Sequence, residues 1–262
     1  MNALSAHHLD LGRSLDDDGY AVIPGVVSKS RLTDFNRQII DAYRSSVKLR
    51  GGGSISGHLN CFPGEASRFI YDEIEANGVG DAIREACADL TQNVRPTLNL
   101  NLPGSSAQHY HMDGVYTEDY IICNVAVVDT NLVNGAIDVL PSTNLEFYPF
   151  WRYAIQRKYR LTTRIPMGQG DVLVRRSTLW HRGMPNRSQE PRAMFSLTFG
   201  ERNMTDEDPF GANGGDIEFY ANWYVTGRWG AARERAEVAV PLSRSAVRFA
   251  KSLVGKRGYS SY

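Results

Sequence analysis

Residues 170–192 read GDVLVRRSTLWHRGMPNRSQEPR. Gly170 marks a tight turn, and the β-branched run that follows predicts a strand over Asp171–Arg176. His181 falls where that strand ends. A polar loop carrying Pro185, Asn186 and Ser188 then returns the chain to a second strand that begins at Arg192. In such a hairpin the two strand ends face each other, which brings His181 and Arg192 into one region.

A period of two extends outward from this stretch over the whole span from Pro96 to Gly200. It predicts strands at Thr97–Leu102, Gln108–Asp113, Tyr120–Asp129, Ala136–Leu140, Leu161–Pro166, Asp171–Arg176 and Arg192–Phe199. Short strands punctuated by Gly, Pro and Asn argue for a sandwich or barrel and against a parallel sheet. Upstream the pattern is mostly helical. After a strand-like Tyr20–Ile23, Ser30 is placed to cap a helix with the stripe Leu32, Phe35, Ile39, Tyr43 and Val47. Gly51, Gly52 and Gly53 open a polar loop that runs to about Gly64. A second helical face carries Val79, Ile83, Cys87 and Leu90. A last helix is expected near Ser245–Val254, stopped by Gly255. No repeat or linker divides the chain. The expected organisation is therefore one domain over 1–262, mainly β with flanking helices: a β core at about 96–200, a helical N-terminal frame and a C-terminal helical extension.

Composition narrows the function classes. The 262 residues carry 29 Lys+Arg against 29 Asp+Glu, and 42% are apolar, as in an ordinary globular protein. Zero net charge removes the simplest argument for nucleic acid or an anionic membrane as partner. The first twenty residues include Asp10, Arg13, Asp16, Asp17 and Asp18 and no apolar run, so neither a signal peptide nor a membrane span is expected. Cys61, Cys87 and Cys123 are widely spaced and form no CxxC, which fits buried thiols in a reducing, cytoplasmic setting. The charge is nevertheless segregated. Residues 101–150 contain six acidic and no basic side chains, whereas residues 151–200 contain ten basic and two acidic.

The acidic stretch holds His111 and Asp113 on a predicted strand. Residues two apart leave the same face, so these two converge while Tyr110 and Met112 point away. An imidazole and a carboxylate supply two ligands of a facial triad, and His181 is the candidate third. That set suits Fe(II), because it leaves positions open for substrate and dioxygen. Zn(II) accepts the same donors, which keeps a zinc-dependent cupin-like hydrolase or isomerase open. A jelly-roll module that binds a small ligand or sugar without catalysis is a further alternative. Arg192 offers a planar, permanently charged fork for a carboxylate.

Taken in order, the HxD of His111 and Asp113, the distal His181 and Arg192 eleven residues on resemble the phytanoyl-CoA dioxygenase family of Fe(II)/2-oxoglutarate-dependent oxygenases. Asp18–Val27 (DGYAVIPGVV) and Asn134–Asn144 (NGAIDVLPSTN) resemble two further family segments, and the run 170–199 resembles its most characteristic block. The resemblance implies a double-stranded β-helix, or jelly roll. It also implies His111, Asp113 and His181 as iron ligands and Arg192 as the partner of the distal carboxylate of 2-oxoglutarate. Asn99, Asn101 and Gln108 are candidates for the other end of that co-substrate. The implied reaction consumes dioxygen and 2-oxoglutarate, releases succinate, and hydroxylates or otherwise oxidises an unactivated C–H of a small metabolite, in specialised metabolism.

Some positions depart from the family pattern. Ser142, Thr143 and Asn144 replace a Gly-Ser-His, and Gly183 stands where a hydroxyl residue is frequent two after the distal histidine. Ser196, on the same strand face as Arg192, is a candidate to supply that hydroxyl. Asp113 is retained, which disfavours halogenation. Candidate pocket walls are the aromatics Phe147, Tyr148, Phe150, Trp151 and Tyr153, then Phe219, Tyr220, Trp223, Tyr224 and Trp229. The Gly51–Gly64 loop, with Ser54, Ser56, His58 and Asn60, is a candidate lid. An inward-facing member of Arg175, Arg176 and Arg182 would favour an anionic substrate group.

Overall fold

The computed structural model describes residues 11–46, 55–87, 93–147, 149–200, 208–220, 227–240 and 242–254. Helix α1 spans 11–17, followed by β1 (Tyr20–Ile23) and α2 (Lys29–Ser45). Next come β2 (His58–Phe62), α3 (Arg68–Ala76), α4 (Val79–Ala86), β3 (Val94–Asn101), β4 (Ile121–Ala126) and β5 (Ile137–Val139). The chain continues through α5 (Phe150–Ile155), β6 (Thr163–Ile165), β7 (Val172–Arg176), β8 (His181–Arg182) and β9 (Arg192–Phe199). It closes with β10 (Glu218–Tyr220), α6 (Gly227–Ala239) and α7 (Ser243–Val254).

Seven strands form one antiparallel sheet in the order β1-β7-β4-β9-β3-β2-β10, and β6-β5-β8 form a second. This is the expected jelly-roll arrangement, with few chain-adjacent strands paired. Alternation along β9 shows how the large sheet is used. Ala193, Phe195, Leu197 and Phe199 point to one face and join Leu98, Leu100, Cys123, Val125, Val172 and Val174 in the main core. Helices α2, α3 and α4 close that core through Leu32, Phe35, Ile39, Ile70, Ile74, Val79 and Ile83. Fully burying each such side chain is worth roughly 1.5–3 kcal/mol. The opposite face of β9 presents Arg192, Met194, Ser196 and Thr198 to the space between the sheets. There Ala126, Leu173 and Met194 pack with Ile137, Val139 and Ile165 of the small sheet.

The turn at Gly170 fixes where β7 begins. Its φ is +93°, and a Cβ there would stand 2.2 Å from the Val27 carbonyl oxygen. Val27 instead donates its N–H to the Gly170 carbonyl at 3.0 Å, pinning the N-terminal segment to the turn before β7, which pairs with β1 and β4 and not with β9 as the expected hairpin required. Only glycine satisfies both demands.

Several expectations need correction. Helix α2 starts at Lys29 with Ser28, not Ser30, in the cap position, and no side chain caps it. The Ser28 hydroxyl pairs with that of Ser30, and its N–H is taken by Glu73 at 2.6 Å. Gln108–Asp113 is not a regular strand. Its N–H groups reach Gly183 from Gln108, His181 from His111 and Ser177 from Asp113, so the register changes on each side of His111. The expected Gly51–Gly64 loop contains β2, which pairs with β3 on one side and β10 on the other. The strand core therefore extends outside 96–200 at both ends. Helices α5 and α6 were not expected, and Val47, Leu90 and Gly255 lie outside the described residues.

Candidate active site

His111, Asp113 and His181 offer ligand atoms that all lie within 4.8 Å of one another, and both histidines are buried. Asp113 Oδ1 stands 3.9 Å from His111 Nε2, and its Oδ2 stands 3.6 Å from His181 Nε2. Each histidine is held the same way. Nδ1 of His111 bonds the His109 carbonyl at 2.8 Å, and Nδ1 of His181 bonds the Leu179 carbonyl at 3.0 Å. A carbonyl only accepts, so Nδ1 carries the proton and Nε2 keeps its lone pair for a metal. Burial drives the His111 imidazole down to about 4 and His181 well below its usual value, so both rings are neutral at pH 7.

Asp113 behaves oppositely. Burial alone would raise its carboxyl, but Arg175, His181 and His111 together hold it well below the usual carboxylate range. Arg175 NH2 donates to Asp113 Oδ2 at 2.6 Å, and its Nε donates to Asn124 Oδ1 at 2.8 Å. Asn124 Nδ2 in turn donates to Ser196 Oγ at 2.7 Å. Of the three arginines flagged in the sequence, Arg175 thus points inward and is spent on Asp113. Arg176 pairs outward with Asp16 and Asp119. Arg182 lies over the Tyr110 ring and bonds Asp138, which also accepts from the Tyr110 hydroxyl. That carboxylate ties together the neighbours of both histidines. Tyr110 and Met112 indeed point away from the triad, into a separate cluster with Trp180 and Tyr153.

Arg192 is 4% exposed and donates from NH2 to the Gly135 carbonyl at 3.0 Å. Its Nε meets no acceptor, and no carboxylate among the described residues pairs with it. Burial lowers this guanidinium to about 10, so it remains charged and uncompensated. Asn101, which faces Arg192 across the β3–β9 register, donates to the Met184 carbonyl at 2.9 Å. Gly135, at φ +87°, leaves no room for a Cβ, which would meet the Met184 oxygen at 2.5 Å and Asn101 Nδ2 at 2.6 Å. A buried cation lacking an anion and a cluster of neutral imidazole nitrogens beside a carboxylate fit a divalent metal with a dianionic partner.

Both sets line one cavity of about 1530 Å³. Asn99 and Gln108 also line it. Gln108 Oε1 is occupied by the Gly183 N–H at 2.7 Å, and Asn99 donates to the Leu59 carbonyl at 3.3 Å. Ser196 is on the Arg192 face, as expected, but its hydroxyl is bonded to Asn124. His58, a candidate lid residue by sequence, is buried beside these groups and sits on β2, inside the large sheet. The signal that exposes β2 is the alternation of Leu59 and Cys61 with His58 and Asn60. Phe150 and Tyr153 reach the cavity wall, whereas Phe219 packs into the helical core and Trp229 is 89% exposed. Ser54, Tyr148, Trp223, Tyr224 and the Tyr220 side chain lie outside the described residues.

A family model described as Phytanoyl-CoA dioxygenase (PhyH) matches residues 15–194. Solved structures share the fold. The epimerase SnoN, in a complex with Fe3+, alpha ketoglutarate and nogalamycin RO, superposes with a TM-score of 0.60 at 16% identity, over 85% of this chain and 97% of that one. The non-heme alpha ketoglutarate dependent carbocyclase SnoK from nogalamycin biosynthesis gives 0.59 at 14%, over 81% and 96%. HygX from Streptomyces hygroscopicus, with nickel, 2-oxoglutarate and hygromycin B bound, gives 0.54 at 13%, over 76% and 89%.

Proposed function

The chain belongs to the phytanoyl-CoA dioxygenase family, and from that premise we propose that it is an Fe(II)/2-oxoglutarate-dependent dioxygenase that hydroxylates an unactivated C–H of a small metabolite. The observation that carries this reading is the pairing of the His111–Asp113–His181 cluster with the uncompensated Arg192 in one cavity. His111, Asp113 and His181 would hold the iron, and Arg192 the distal carboxylate of 2-oxoglutarate. When bound, the iron and 2-oxoglutarate supply the activation of dioxygen, with release of succinate and CO2.

The chain's own residues do the remaining work. The two Nδ1 bonds hold each Nε2 toward the centre, and Arg175 keeps Asp113 ionised. Arg192 selects a dicarboxylate, since its charge needs a partner in a site away from water. A zinc hydrolase has no use for that guanidinium. Asn99 and Gln108, which line the cavity, stand as candidates for the keto-acid end, whereas Asn101 is not among the lining residues. The cavity far exceeds what 2-oxoglutarate fills, which leaves space for a multi-ring substrate of the kind that SnoN and HygX hold. No described helix is long and apolar enough to cross a membrane.

Anaerobic titration with Fe(II) and 2-oxoglutarate should give a visible metal-to-ligand charge-transfer band. Its absence overturns the assignment. Labelled dioxygen then separates hydroxylation, which places one oxygen atom in the product, from epimerisation or ring closure, which place none.

A further inference from the structure

His58 is 4% exposed on β2 and lines the same cavity as Arg192. The two belong to one row of the large sheet, because His58 pairs with Asn101 and Asn101 pairs with Arg192, and paired residues share a face. One ring nitrogen of His58 is anchored, with Nε2 2.7 Å from the Ser106 carbonyl and therefore carrying the proton. The other, Nδ1, is buried with no hydrogen-bond partner. A buried lone pair left unmatched beside a buried cation left unmatched is costly on both counts, and one ligand can relieve both.

We propose that His58 and Arg192 together grip the distal carboxylate of 2-oxoglutarate, and that His58 takes up one proton from solvent as that ligand binds. This rests on the function proposed above. The carboxylate brings only acceptor oxygens, so the Nδ1 lone pair would repel it. Protonation at Nδ1 turns that position into a donor, while Nε2–H stays on Ser106. The groups facing His58 agree with this direction. Burial pushes it down to about 4, the Ser106 carbonyl and Asn99 favour its charged form, and Arg192 and His111 oppose it. An anion placed between His58 and Arg192 cancels the main charge in opposition. Gly183 belongs to the same arrangement, since a Cβ there would meet Gln108 Oε1 at 2.8 Å and His58 Cε1 at 3.3 Å. A hydroxyl side chain at that position would occupy the space that His58 and Gln108 fill.

Calorimetric titration of 2-oxoglutarate into the anaerobic Fe(II)-loaded protein, in buffers of differing ionisation heat between pH 5.5 and 7.5, tests this. The expected result is uptake of close to one proton per ligand, with Kd weakening up to tenfold per pH unit between the low pKa of His58 in the free protein and the higher pKa it acquires in the complex. In His58→Gln the amide donates without titrating, so uptake falls to near zero and the pH dependence flattens. Wild-type binding whose heat does not depend on buffer overturns the proposal and leaves the oxygenase assignment standing. A protein that binds no 2-oxoglutarate at any pH overturns both.

Discussion

His111 and His181 exchange both backbone hydrogen bonds: the N–H of His111 reaches the His181 carbonyl at 2.9 Å, and the return bond is 2.8 Å. Two histidines seventy residues apart in the chain are thereby fixed as an antiparallel pair, with ring centroids 4.4 Å apart. Their spacing is set by main chain before any metal arrives.

The cost of that preorganisation is paid in acid. Burial holds His58 and His111 down to about 4 and His181 well below its usual value, whereas in the unfolded chain they titrate near 6.5. Between those values the unfolded state binds more protons, so the metal-free protein should lose stability as pH falls from about 6.5 toward 4. The slope is up to roughly 1.4 kcal/mol per pH unit for each histidine. Asp113, held low, adds its loss only below about pH 4. Denaturant unfolding at pH 7, 6 and 5 measures this, and a flat profile contradicts the neutral buried rings.

Arg175→Met removes the cation that keeps Asp113 ionised and leaves a buried carboxylate alone. Stability should fall by about 3–5 kcal/mol, and metal affinity by about 10–100-fold. Arg175→Lys should recover part of each, because an ammonium restores charge without spanning Asn124 and Asp113 together. Metal titration alongside thermal unfolding reads both quantities.

Arg192→Met should act in opposite directions on two measurements. The ligand-free protein gains stability, since an uncompensated buried charge is replaced by an apolar side chain of similar length. The increase in Tm that saturating 2-oxoglutarate gives the wild type should disappear. A lowered ligand-free Tm would mean that the bond to the Gly135 carbonyl outweighs the cost of burying the charge.

Gly135→Ala tests the turn that presents a carbonyl to Arg192. The new methyl would collide with backbone at Met184 and with Asn101, at a φ that disfavours any side chain. The expected cost is about 2–4 kcal/mol, accompanied by weaker 2-oxoglutarate binding. Metal affinity should change little, because none of the three candidate ligands touches that turn.

Much of this site is legible in the chain. His111 and Asp113 share a face by strand parity, and His181 and Arg192 do meet in one cavity, but not through the expected hairpin: β4 lies between β7 and β9, and His181 sits on β8 of the small sheet. The strand at His58–Phe62 is not legible, although Leu59 and Cys61 alternate with His58 and Asn60. A strand that lines a polar cavity on one face puts His58 and Asn60 there, and after the glycines and serines that precede it the segment reads as loop. Pairings between distant segments are equally hidden. Nothing local announces that Ser196 serves Asn124, or that Ser28 loses its N–H to Glu73 and leaves the helix without a side-chain cap. Trp229 and Phe219 fail as pocket walls for the same reason, since aromatic content does not say which surface an aromatic side chain meets.

The alternation along β9 has a consequence for how such a protein changes over generations. Phe195, Leu197 and Phe199 belong to the fold's core, whereas Met194, Ser196 and Thr198, between them, face the cavity. A mutation at one set leaves the other in place. Substrate preference can therefore drift along the strand while the architecture stays intact, which allows one scaffold to be recruited for new molecules without first being rebuilt.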